Sequence, residues 1–200
     1  VDTGMFAPSS GEIEDYFLIV SAFAPYKRVD LAVEAFNKLG YPFIVIGDGQ
    51  EAGPLRKVAG SNIRFEGWLD NTAIRSHYAR CRAFVFCGEE DFGITLLEAQ
   101  AMGRPVIALG RGGALETVIP DRQTWRPETG IAEHKTSQPT GVFFYEQTPT
   151  AIMQAIQHFD SVESQFHPEA IRRHAVRFDV AVYTDQIRNF IEQRLEEHRC

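Results

Sequence analysis

The chain has 200 residues, of which 44% are apolar and 12% aromatic, and a formal net charge of −7. That length suits one large domain, and folding at this size removes roughly 70% of the unfolded surface from water. The acidic balance argues against nonspecific binding to nucleic acid or an anionic membrane, since both select a basic face. It leaves room for an anionic small ligand, which a helix N-terminus and one or two basic side chains can hold.

The first predicted strand is Phe17-Leu18-Ile19-Val20, a short unbroken apolar run of the kind buried on both faces. After a loop, apolar residues at Val29, Ala32, Val33 and Phe36 recur at helical spacing until Gly40 and Pro42 stop them. Phe43-Ile44-Val45-Ile46 is the second strand, closed by Gly47-Asp48-Gly49. A short helix over 51–59 leads to a third strand, Ile63-Arg64-Phe65, and then Gly67-Trp68-Leu69. Asp70 is placed to cap a helix carrying Ile74, His77, Tyr78 and Cys81.

The fourth strand, Ala83-Phe84-Val85-Phe86, runs into Gly88-Glu89-Glu90-Asp91-Phe92-Gly93 and a helix expected from about Thr95 to a stop at Gly103. A fifth strand, 106–109, is followed by a glycine-bearing loop and a short turn over 110–116. The stretch from Pro120 to Thr140 is polar and is expected to be a surface excursion suited to partner contacts. A last strand is read at 141–145, a helix at 150–159, and two helices from Pro168 with a break near Phe178-Asp179. Strand and helix alternate throughout. The fold class is therefore α/β, a doubly wound parallel sheet of about six strands with helices on both faces and a helical extension.

Cys81, Cys87 and Cys200 are too few and wrongly spaced for a disulfide frame or zinc site and read as reduced intracellular thiols. Six histidines are scattered without metal spacing, so no metal site is expected, and no apolar run reaches the ~20 residues of a membrane span. The opening Val1-Asp2-Thr3-Gly4 reads as a loop, as in a segment of a longer polypeptide.

Open α/β sheets place ligands at the carboxyl ends of their strands. At those ends stand Lys27, where a lysine opposes the helix dipole and suits a phosphate; Gly47, in a weak phosphate-loop pattern that an Asp48 turn explains better; and Gly67 with Trp68, either packing or an aromatic face for a base. Glu90 and Glu98 flank the fourth junction. Carboxylates accept from vicinal hydroxyls, so two facing one cleft suggest a polyol, although Thr95-x-x-Glu98 also fits a capping box. Gly93 lets backbone approach a ligand, and Gly112 with Gly113 presents bare backbone. Pattern alone stops at a domain binding a phosphorylated, hydroxyl-rich ligand.

The Glu90-x7-Glu98 stretch, with Pro25-Tyr26-Lys27-Arg28, Gly47-Asp48-Gly49 and Arg111-Gly112-Gly113-Ala114-Leu115-Glu116 in the same order, resembles the retaining nucleotide-sugar glycosyltransferases of family 4, which have GT-B architecture. The likeness covers 16–116 and resumes at 141–150. It implies the C-terminal, donor-binding half of a two-domain enzyme. Residues 1–15 would be an inter-domain connection, 16–160 a Rossmann-like domain and 161–200 the helices returning to an N-terminal acceptor domain outside this chain.

The resemblance further implies catalytic roles for Lys27 (leaving diphosphate) and Glu90 (donor sugar), with Glu98 on the ribose. Phe92, Gly93, Ile94 and Thr95 would face sugar and diphosphate, and Gly47, Gly67, Trp68, Gly112 and Gly113 would complete the donor site. The partners implied are a nucleoside-diphosphate sugar and an acceptor glycan or lipid-linked sugar, with no metal or other cofactor. The setting implied is polysaccharide or lipopolysaccharide synthesis in the cytoplasm, either free or at the inner face of the cytoplasmic membrane. The Pro-Tyr-Lys-Arg run also resembles mannosyl-type enzymes using a GDP-sugar. Ala22 stands where many members carry a second diphosphate-binding arginine. The isolated domain is expected to bind nucleotide and not to turn over. A GT-B nucleotide-sugar epimerase and a separate donor-binding subunit remain alternatives at this point.

Overall fold

The computed structural model describes residues 1–8, 11–126, 129 and 138–198. Six strands form one sheet: β1 (Phe17–Val20), β2 (Phe43–Ile46), β3 (Ile63–Gly67), β4 (Ala83–Phe86), β5 (Val106–Leu109) and β6 (Gly141–Phe144). Their order is β3-β2-β1-β4-β5-β6, and every pairing is parallel. The helices are α1 (Val29–Leu39), α2 (Ala52–Val58), α3 (Asn71–Arg80), α4 (Ile94–Ala101), α5 (Ala114–Thr117), α6 (Pro149–Val162), α7 (Pro168–Ala175) and α8 (Val180–Glu197). The direction of progression reverses between β1 and β4, which makes that crevice the sheet's topological switch point.

The apolar runs are continuous because both faces of the sheet are covered. Successive side chains alternate, so Phe17, Ile19, Val45 and Val85 enter one layer with α1 and α6, while Leu18, Ile44, Phe84 and Ala108 enter the other with α3 and α4. Phe36 of α1 stacks on Phe43 at 3.9 Å between ring centres and tilts against Phe17 at 5.4 Å. At the base, Arg82 joins Asp160 and Glu163, fastening α6 to the start of β4.

Several expectations shift. The last strand stops at Phe144, with Tyr145 beyond it, and β3 extends to Gly67. The excursion does not begin at Pro120, because Pro120 bridges to Gly141. Asp121 is buried there, bonded to Thr124 and 2.9 Å from His158. Residues 127–128 and 130–137 of that excursion, with His134 and Cys200, lie outside the described residues. Cys81 and Cys87 are buried free thiols that burial pushes up, Cys81 to about 12. Among the described residues no metal-holding cluster occurs and no helix is long and apolar enough to cross a membrane.

The tail breaks where the sequence indicated, at a 3-10 turn over Val176–Phe178 followed by Asp179 as the α8 cap. The opening residues close onto this turn. The Thr3 amide and hydroxyl donate to Asp179, and Arg172 donates to the carbonyls of Thr3, Phe6 and Ala101. The Thr3 hydroxyl, with the Ala181 amide, holds the Asp179 carboxyl down at about 2. A depressed carboxyl stabilises the fold above its unfolded value of ~3.9 and loses that contribution as pH falls through the folded value. Acidification from pH 5 to 2 is therefore expected to release the Thr3 amide before the sheet unfolds, which amide NMR would read.

No residue of α8 is fully buried; Val180, Tyr183, Ile187, Phe190, Ile191 and Leu195 form an exposed stripe along one side of it.

Candidate functional site

At the switch point an open cleft of about 490 Å³ lies between the end of β1 (Val20, Ser21, Ala22), the Tyr26-Lys27 turn, and the loop from Glu89 into α4. Its position follows from chain geometry, since β1 and β4 are neighbours whose following helices pack on opposite faces. Among the described residues lining it, Lys27 is the one basic side chain, against Glu89, Glu90 and Asp91.

Lys27 ends a 3-10 turn begun by Pro25, and its ammonium is ion-paired with Glu90 and lies 4.9 Å from the centre of the Tyr26 ring. Arg28, next in the chain, caps α1 in a left-handed conformation (φ 52°) and bonds Asp30 at 3.0 Å. That unusual backbone turns Arg28 away and leaves Lys27 to the cleft.

The loop that carries Glu90 is seated on the β5–α5 turn. The Gly113 amide donates to the Glu90 carbonyl at 2.7 Å. A Cβ on Gly113 would stand 2.5 Å from both Asp91 O and Phe92 Cα, so only glycine permits this approach. Gly113→Ala is expected to cost about 1–3 kcal/mol by overpacking against backbone, visible as a lower Tm, and to displace the acidic loop. Gly113 is thus buried beneath the loop as its support, correcting the reading that it offers bare backbone to a ligand; Gly112 stays exposed.

The α4 cap also differs from expectation. Gly93 (φ 78°) is the N-cap, with no side-chain bond, and Thr95 lies inside the helix. The capping box is therefore absent, and Glu98 has another partner: Tyr78 donates to its carboxylate at 3.2 Å. Burial raises the Glu98 carboxyl, with the Tyr78 bond opposing, and burial raises the Tyr78 phenol well above its ordinary value. Glu98 does not line the cleft beside Glu90; it sits one turn deeper, half-buried.

The structure therefore brings together Lys27, Glu90, Phe92, Gly93, Ile94 and Thr95 at the cleft. Gly47, Gly67 and Trp68 lie along the same sheet edge but outside it. The Gly47 amide donates to Gly67 O at 2.8 Å, stitching the two loops, while Asp48 Oδ1 accepts from the Gly49 amide, the expected turn. Trp68 is 77% exposed, which rules out its reading as packing. Ser21 and Tyr26 of the cleft were not singled out; an aromatic residue beside the lysine was the available signal for Tyr26. Tyr78 read as a core position on a helix, and nothing local marked it as a partner of Glu98.

The profile of the family described as "Glycosyl transferases group 1" matches residues 14–159, most of the chain. The chain belongs to the group 1 glycosyltransferases. Its relatives include O-antigen chain mannosyltransferase C of Escherichia coli, 30% identical over 116 residues, which are 54% of this chain and 31% of that protein. A GDP-mannose-dependent alpha-mannosyltransferase of Mycolicibacterium smegmatis is 35% identical over 104 residues, 52% of this chain and 28% of that protein. The chain thus spans about a third of the length of these relatives.

The glycosyltransferase fold extends further than the sequence match. Sucrose-phosphate synthase from Thermosynechococcus elongatus superposes over 98% of this chain and 51% of its own, with TM-score 0.78 and 20% identity. HepE of Anabaena, solved with UDP and glucose, superposes over 96% of this chain and 55% of its own, with TM-score 0.75 and 19% identity. The doubly wound sheet with its C-terminal helices is that of GT-B glycosyltransferases.

Proposed function

We propose that this chain is the donor-binding half of a retaining glycosyltransferase that moves a mannosyl group from GDP-mannose to a glycan or lipid-linked acceptor. The observation that carries the reading is the Lys27–Glu90 pair at the N-terminus of α4, inside the cleft at the switch point. An α-helix leaves its first amides without intrahelical acceptors, and its dipole makes that end positive. A diphosphate fits there. In this reading its charge is met by Lys27 and the amides at Ile94 and Thr95 rather than by a metal ion.

Binding would exchange partners. The phosphates take Lys27, and Glu90 turns its carboxylate to hydroxyls of the donor sugar. Glu98, held by Tyr78, accepts from the ribose, and exposed Trp68 offers its face to the base. The bond from the anomeric carbon to the phosphate oxygen breaks as the acceptor oxygen bonds the same face, and the leaving phosphate takes the acceptor's proton. Catalysis is then chiefly electrostatic stabilisation of the departing diphosphate. GDP-mannose as donor is supported by the GDP-mannose-dependent relative of Mycolicibacterium smegmatis, and nucleotide-sugar binding also by the UDP complex of HepE. The exposed stripe of α8 and the half-length coverage of the fold neighbours support a second, acceptor-binding half that covers the stripe. The cytoplasm, where nucleotide sugars are drawn on, is the setting this reading implies.

A thermal-shift panel of UDP-, GDP- and ADP-sugars tests the proposal. A ligand at 100 times its Kd adds roughly 2.7 kcal/mol of stability, so GDP-mannose should raise Tm most. No shift with any nucleotide sugar would refute it. Ala22 lines the cleft, so Ala22→Arg is expected to add a second cation beside Lys27 and tighten nucleoside-diphosphate binding by calorimetry. Unchanged or weaker affinity would count against placing the diphosphate there.

A further inference from the structure

α7 runs antiparallel along α4. At one end Pro168 sits on Gly103, 3.1 Å from where a Cβ would stand; at the other, Phe178 of the following turn meets Phe92 of the acidic loop. The Phe92–Phe178 contact is edge to face, 6.2 Å between ring centres at 66°. Phe178 in turn meets the His174 ring edge to face at 5.4 Å. His174 Nε2 lies 3.1 Å from the Thr117 carbonyl; a carbonyl only accepts, so Nε2 carries the proton. The Thr117 hydroxyl donates to Gly113 O at 2.8 Å, and the Gly113 amide donates to Glu90 O.

These contacts form a continuous frame behind the cleft. Glu90 is held from below through Gly113 and Thr117, and Phe92 from the side through Phe178, and the two routes meet at His174. The loop is also tied by the Lys27–Glu90 pair and by Asp91 O and Phe92 Cα packed on Gly113. Glu89 and Asp91 face solvent and Phe92 is 40% exposed. Among the described residues, Phe178 is the aromatic ring in contact with that partly open side chain. Directly after Phe92 comes Gly93, whose positive φ starts α4 and aims its first amides into the cleft.

We propose that Phe178 is a positioning residue: through Phe92 it fixes the acidic loop and the start of α4, so that the C-terminal turn sets the geometry of the donor cleft. The part of this that concerns ligand affinity rests on the donor-site reading above; the part that concerns loop order does not. Phe178 also immediately precedes the cap of α8, so the turn that holds Phe92 is the root of the exposed helix.

The test pairs two readouts in the chain and in a Phe92→Ala background. Amide hydrogen exchange over Gly93–Leu97 reports the order of the loop and helix start, and calorimetry with GDP-mannose reports affinity. Phe178→Ala is expected to speed exchange there and to weaken affinity about three- to ten-fold, the size of a lost aromatic pair. Phe178→Tyr should restore both, and Phe178→Ala should add nothing once Phe92 is alanine. Where Phe178→Ala unfolds the tail, Phe178→Leu keeps apolar volume without a ring and is read the same way. Unchanged exchange in the alanine or leucine variant, or an equal loss with and without Phe92, would overturn the proposal. A wild-type chain that bound no nucleotide sugar would sink the donor reading instead, and the exchange data would still decide the positioning role.

Discussion

Lys27→Ala is expected to weaken nucleoside-diphosphate binding by about 10- to 100-fold, the equivalent of the roughly 1.5–3 kcal/mol that a hydrogen bond to a charged group contributes. Lys27 is the one basic side chain among the described residues that line the cleft, and three acidic residues share it. Removing it leaves Glu90 unpaired and the cleft more negative, so two effects act in the same direction. Lys27→Arg should recover part of the loss, because a guanidinium keeps the charge but not the compact ammonium geometry. The fold should be almost indifferent, since a partly exposed ion pair is worth about 0–1 kcal/mol of stability. Calorimetry with GDP, with Tm as the control, separates the two. An unaltered affinity would mean that the diphosphate lies elsewhere.

Glu90→Gln is expected to split two ligands that Lys27→Ala weakens together. Glu90 is paired with Lys27, so it competes with any phosphate for that ammonium. Neutralising it frees Lys27, and affinity for GDP should hold or rise. The same change removes a carboxylate acceptor proposed for the sugar hydroxyls, so affinity for GDP-mannose should fall about 10-fold or more. The ratio of the two dissociation constants is the informative quantity. Were both ligands to weaken equally, Glu90 would be a structural partner of Lys27 and not a sugar contact. Glu98 could not serve as well for this test, because it is half-buried and its replacement would also take a partner from the buried Tyr78 hydroxyl.

The sheet was legible because burial on both faces demands apolar runs, and 17–20, 43–46, 83–86 and 106–109 are such runs. Alternation of strand and helix then ordered them, and their carboxyl ends identified the ligand edge before any side chain was placed. What the sequence hid was what arises between distant segments. Thr95-x-x-Glu98 satisfies a capping pattern locally, but the helix begins at Ile94 behind Gly93, and Glu98 is taken by Tyr78 from α3. Gly113 read as open backbone, yet its missing Cβ makes room for Asp91 and Phe92, residues more than twenty positions earlier. The Lys27–Glu90 pair spans 63 positions and leaves no local trace in the chain. The Phe92–Phe178 contact likewise joins two segments that no spacing rule connects.

The most direct measurement is a 15N-amide NMR titration of this chain with GDP-mannose. A donor site at the β1–β4 crevice is expected to give saturable shifts at the amides of Gly93, Ile94 and Thr95 and around Lys27, with the midpoint moved to about 10- to 100-fold more ligand in Lys27→Ala. Shifts confined to a different surface, such as that around Tyr145 and His158, or no saturable shifts at all, would contradict the account.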